Sequence, residues 1–138
     1  MTQFYKLGPG SLTVGTVPLD VTAQITACKV TASENVRTGD DLDLLDGTTL
    51  AGEESATYRF TISGNLVQDL AAAGVVAWSW TNKGTEQPFT FIPATAEGRK
   101  VTGTLVPVPL DVGGDAKSRP RADFTWRCIG DPDLAAVV

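Results

Sequence analysis

The sequence contains no histidine, and only two cysteines and one methionine, among 138 residues. Without histidine, Ser-His-Asp and Cys-His nucleophile systems are excluded and the commonest general base is missing. Cys28 and Cys128 lie far apart and form no C-x-x-C pair, which removes the usual zinc and redox readings. In a reducing compartment the expectation is two buried free thiols rather than a disulfide. Long apolar runs are also missing: Ala71 to Trp80 is broken by Gly74 and Ser79 and falls short of the roughly 20 residues a membrane span needs. Met1 to Gly10 carries Lys6 but is followed by no apolar run and no small-residue cleavage site, so no secretory signal is expected. Basic charge is in deficit, with 11 Lys and Arg against 16 Asp and Glu. The resulting charge of −5 argues against a chain built to hold nucleic acid by its phosphates, although it suits a path along which DNA must not adhere.

What is present reads as one folded domain over residues 1–138. Hydrophobic residues make up 42% and charged residues 20%, which supports a packed core rather than disorder. Period-2 alternation dominates, the mark of half-buried strands. Tyr58, Phe60 and Ile62 share one face in Ala56 to Ser63. Val76, Trp78 and Trp80 share one in Val75 to Asn82, which Asn82-Lys83-Gly84 would turn into a hairpin with Gln87 to Pro93. Further strands are expected at Phe4 to Leu7, Ser11 to Val14, Val21 to Ala32, Lys100 to Val106 and Ala122 to Gly130. About seven or more short strands point to an all-β sandwich or barrel. One short helix is expected at Leu66 to Ala73, where Leu66, Val67, Leu70 and Ala73 recur at helical spacing between Asn65 and Gly74. Two irregular segments remain: a long loop at 33–55 and a second at 111–121. Long loops in compact domains usually serve binding.

A search for chemistry among these residues ends empty. Asp41, Asp43, Asp46 and Gly47 superficially resemble a calcium loop, yet Leu45 and Asp46 stand where the EF-hand pattern needs an oxygen ligand and a glycine. Asn82-Lys83-Gly84-Thr85 lacks the order of a phosphate loop. Trp78, Trp80 and Trp126 lie on alternating segments and read as core rather than as a stacking platform. Asp69, Glu86 and Asp123 show no pairing. No catalytic, cofactor-binding or metal-ligating residue is assigned, and an enzyme is not expected. The charges are segregated, however. Acids crowd 34–54, and bases gather at Arg99, Lys100, Lys117, Arg119, Arg121 and Arg127. Such asymmetry can guide copies of one chain head to tail.

The run Ala56 to Pro132 resembles the major tail (tail tube) proteins of siphoviruses, most closely those of phages infecting actinobacteria. The resemblance is carried by Thr57-Tyr58-Arg59-Phe60-Thr61-Ile62-Ser63-Gly64, Leu66-Val67-Gln68-Asp69, the run Val75 to Phe89, Val112 to Pro120, and Asp123-Phe124-Thr125-Trp126 ending at Gly130-Asp131-Pro132. It implies a β-sandwich of the tail tube type with one flanking helix. It also implies hexameric rings whose subunits lend strands to a barrel around a lumen, and ring stacking through a long loop matching Ser33 to Ser55. The implied partners are further copies of the chain, a tape-measure protein, and tail terminator and tail tip proteins. Double-stranded DNA would pass without specific binding through a passive acidic conduit during ejection. The place implied is the virion tail, assembled in the host cytoplasm, with no membrane and no cofactor. Asp40, Asp41, Asp43 and Asp46 are the candidate inter-ring contacts, with Lys117, Arg119 and Arg121 opposite. The competing reading is a secreted carbohydrate-binding or adhesin-like β-sandwich, which requires an exposed aromatic platform.

Overall fold

A computed structural model describes residues 4–137. Nine strands form in the order β1 (Ser11–Val14), β2 (Leu19–Asp20), β3 (Ile25–Thr38), β4 (Leu42–Asp43), β5 (Thr49–Leu50), β6 (Glu54–Val67), β7 (Gln87–Ile92), β8 (Arg99–Val106) and β9 (Arg121–Ala136), with one helix, α1 (Val75–Thr81), between β6 and β7. Seven strands make an antiparallel sheet in the order β2-β1-β7-β8-β9-β6-β3, and β4 and β5 form a separate two-stranded ribbon. The protein is therefore all-β with one short helix.

Alternation sorts the faces. Leu12 and Val14 of β1, Phe89 and Phe91 of β7, Leu105 of β8, Phe124 and Trp126 of β9, Ile62 and Leu66 of β6 and Cys28 of β3 belong to one buried cluster. Strands from both ends of the sheet feed this cluster, so the sheet curls around its own apolar face as a sandwich does. The remaining side is closed by α1, which buries Val75, Val76 and Ser79. Ser79 Oγ donates to Val76 O at 2.7 Å and accepts from Leu110 N–H at 3.1 Å, satisfying a hydroxyl that is otherwise costly to bury. Trp126 stacks against Phe124 and Trp78 with ring centroids 4.9 and 5.8 Å away, while its Nε1 donates to Val108 O at 3.1 Å. The segment 107–110 is thus pinned across the core by the side chains of Ser79 and Trp126.

Several sequence expectations are corrected. Val75 to Asn82 is helical, because Val75, Val76 and Ser79 also fall on one helical face and a seven-residue apolar run fits either period. Gln87 to Pro93 therefore pairs not with it but with β1 and β8. Leu66 to Ala73 is no helix: Leu66 and Val67 end β6 in register with Ala122 and Arg121, and the chain then turns through Ala71 to Gly74. Phe4 to Leu7 forms no strand. Val21 to Ala32 starts with a 3-10 turn at Thr22–Gln24 before β3 begins, and β3 continues beyond Ala32 to Thr38. The loop at 33–55 shrinks accordingly. Strand β3 reaches Thr38, β6 resumes at Glu54, and the intervening turn carries the β4-β5 ribbon.

Candidate assembly surface

Strands β3 and β6 stay paired from Ile25 and Leu66 to Thr38 and Glu54. β9 accompanies β6 only from Val67 to Thr61. Beyond that point the two strands leave the sheet as an arm, and every residue of Ser33–Thr38 and 54–59 is exposed. At the rise of an extended strand the arm proper is about 20 Å long, before the tip is counted. A two-stranded ribbon with no packed face is marginal in water, so this one calls for a covering surface.

The arm is two-faced. Ala32 pairs with Phe60, Glu34 with Tyr58 and Val36 with Ala56, which continues the row that Val30 and Ile62 begin inside the core. The opposite face pairs Ser33 with Arg59, Asn35 with Thr57 and Arg37 with Ser55, all polar. Followed back along β3, β6 and β9, this outer face holds Lys29, Arg37, Arg59, Arg121 and Arg127 among serine and threonine hydroxyls. Where β9 runs beside β6 its single acid is Asp123, which accepts from Asn65 Nδ2; further along β9, Asp133 pairs with Thr102 on the same face. The carboxylates that make the chain acidic therefore lie elsewhere.

Many of them are at the tip. Residues 39–58 hold Asp40, Asp41, Asp43, Asp46, Glu53 and Glu54 and no Lys or Arg. Asp41 accepts from Gly52 N–H at 2.7 Å, Asp43 from Thr49 Oγ1 at 3.2 Å, and Asp46 from both the N–H and the hydroxyl of Thr48. The Thr48 hydroxyl and N–H hold the Asp46 carboxyl below its ordinary range. Leu44 N–H to Thr48 O at 2.8 Å and Gly47 N–H to Leu44 O at 3.0 Å close the turn, with Gly47 at φ +89° where a side chain would be strained. These acids shape a turn rather than converge, and no cluster of metal-ligating side chains exists among the described residues.

Lys117, Arg119 and Arg121 sit at the far end of the same ribbon, where Val67 pairs with Arg121. Gln68 fastens that end. Its N–H donates to Pro120 O at 3.0 Å, its Nε2 to Gly113 O at 3.1 Å, and its Oε1 accepts from Gly113 N–H at 3.1 Å. Acidic and basic candidates thus occupy opposite ends of one strand pair, about 40 Å apart at the strand rise. Within one copy they do not meet.

The alternatives find less support. Trp126 is buried and Trp78 packs on the core, while Trp80, expected in the core, is 49% exposed because α1 turns it outward. One half-exposed indole is no stacking platform. Leu7, Leu12, Ile25, Cys28 and Phe91 line an apolar pocket of about 150 Å³ that contains no acidic or basic side chain. Both cysteines are free. Among the described residues no helix is long and apolar enough to cross a membrane.

No family model and no curated protein matches the sequence. Solved structures do. A chain from the tail of an empty gene transfer agent particle with C6 symmetry superposes with a TM-score of 0.62 over 91% of this chain and 96% of that one, at 16% identity. A chain from the virion of a native gene transfer agent particle gives 0.57 over 91% and 95%, at 18% identity. The fold is shared over 91% of this chain.

Proposed function

We propose that the protein is a structural tail subunit of a phage-like particle. It assembles into rings, sixfold as in the C6 tail above, and the rings stack into a tube. The observation that carries this reading is the β3-β6 arm: two long strands extended into solvent with an apolar row on one face. Such a row costs free energy in a monomer and stabilises an assembly when a second copy covers it. Free strand edges belong to the same design, because β3 has no neighbour on its outer side and β9 has none beside β6 past Arg127. Neighbouring copies can extend the sheet there by strand addition.

The acidic tip and the basic end of the ribbon supply the polarity of stacking. Asp40, Asp41, Asp43 and Asp46 of one ring face Lys117, Arg119 and Arg121 of the next, a head-to-tail contact that does not close and so propagates. The tube is a passive conduit for double-stranded DNA, built around a tape-measure protein and bounded by terminator and tip proteins in the virion tail. An acidic lining, anticipated from the net charge, draws on the tip and loop carboxylates, since the outer face of β3, β6 and β9 carries five bases against Asp123 and Asp133. No step of this function requires covalent chemistry.

Sedimentation velocity tests the reading. The wild-type chain is expected to grow into open-ended species as concentration rises. A variant with residues 40–52 replaced by a two-residue Asn-Gly turn is expected to keep its far-ultraviolet spectrum and sediment as a monomer. Equal growth by both proteins would remove the arm from the mechanism.

A further inference from the structure

The arm tip is apolar as well as acidic. Leu42, Leu44, Leu45 and Leu50 are all exposed, and Leu45, at the crest of the turn, is fully so. A leucine held in solvent by an ordered turn is matched to something that removes it from water. The opposite end of the molecule offers such a place. Leu70, Val76, Ala77, Trp80 and Val112 line a shallow apolar groove of about 380 Å³, with Leu70, Trp80 and Val112 partly or largely exposed. Its walls are already set. Trp80 Nε1 donates to Leu110 O at 2.9 Å, and Gln68 ties Gly113, next to Val112, to the end of β6.

We propose that the leucine-bearing tip of one copy docks in this groove on a second copy, with Leu45 inserted between Leu70, Trp80 and Val112. The proposal rests on the tube reading and names the receptor within it. The occupant is a second copy because tip and groove stand at opposite ends of one ribbon, each with apolar surface left in solvent. Apolar side chains meet apolar walls, and Gln68, which binds both Gly113 O and Arg121 O, holds Arg121 near the groove where the acids flanking Leu45 can reach it. Asp69, Asp111 and Asp115 also lie at this end; Asp69 already accepts from Ala71 N–H at 3.0 Å. These three acids match Lys117, Arg119 and Arg121 in number, so the apolar contact carries the docking. Both partners are ordered before they meet, so little conformational entropy is lost on docking.

Cross-linking tests this directly. In a Cys128→Ser background, a Leu45→Cys protein is mixed with a Val112→Cys protein under wild-type assembly conditions and oxidised. A disulfide joining one chain of each kind is expected, along with a ladder of multimers from a chain carrying both substitutions. Leu134→Cys, exposed but on β9, serves as the control partner for Leu45→Cys. Assemblies in which Leu45→Cys joins Val112→Cys no better than Leu134→Cys would overturn the docking site while leaving the tube reading intact. Absence of any assembly by the wild-type chain at every concentration would overturn both. Separately, Leu45→Asp is expected to raise the concentration needed for assembly at least tenfold with the monomer fold unchanged, and an unchanged threshold counts against the proposal.

Discussion

At the scale of single residues, the absence of histidine and the spacing of the cysteines were readable directly, and among the described residues the acids at the tip shape a turn rather than converge. Burial of Trp126 followed from alternation, because a strand leaves each side chain only two directions. Trp80 was misjudged for the same reason in reverse: its strand-like spacing from Trp78 has a different meaning once the backbone is helical. Cys28 is the residue with the clearest titration signature. Burial pushes its thiol from an ordinary 9.0 up to about 12. The folded state then holds this proton more tightly than the unfolded chain does. Its contribution to stability is complete below pH 9 and is lost as pH climbs toward 12. Thermal unfolding of the wild type should therefore weaken across that window, and Cys28→Ala should flatten the alkaline limb. Identical pH profiles for the two would contradict the assignment.

At the scale of elements, strands with long partners were legible and short apolar runs were not. β1, β7, β8 and the middle of β6 lie close to where alternation places them, since each buries one face. α1 and the lost helix at Leu66 to Ala73 exchanged roles. Both runs fit either period, and the choice was made by packing: Leu66 fills the core as a strand residue, while Val75 and Val76 close it as a helix. The arm was hidden because Val36 is the only apolar residue in Ser33–Thr38, so β3 shows no alternation there and its burial partners lie outside the chain. At the tip, hydrogen bonds from Thr48 lower the Asp46 pKa, so its support for the turn is present at neutral pH and is lost as pH falls through and below the usual carboxylate range. The Thr48 amide resonance should move with that titration, and in Asp46→Asn it should be insensitive to acid.

At the scale of the whole molecule, net charge was the least informative number. A value of −5 conceals an acidic tip, a cationic outer sheet face and an opposite end where Lys117, Arg119 and Arg121 stand among Asp69, Asp111 and Asp115, and only strand register reveals that the tip and this end lie at opposite ends of one ribbon. The architecture of the tail tube type was legible through family resemblance, and the assembly surface only through the structure, because exposure of the arm is a property of three dimensions. Charge reversal reads this polarity. Asp40→Lys with Asp43→Lys should weaken assembly, and so should Arg119→Glu with Arg121→Glu. Mixing the two variants should restore contacts between unlike copies, with the effect fading as salt screens it. Failure of the mixture to recover any assembly would separate the acidic tip from the basic end.

The most direct measurement is electron microscopy of the purified, concentrated protein. The account predicts hollow tubes of stacked rings with sixfold end views, and arms that bridge successive rings. Isolated monomers at every concentration, or closed particles that leave the arm in solvent, would contradict it.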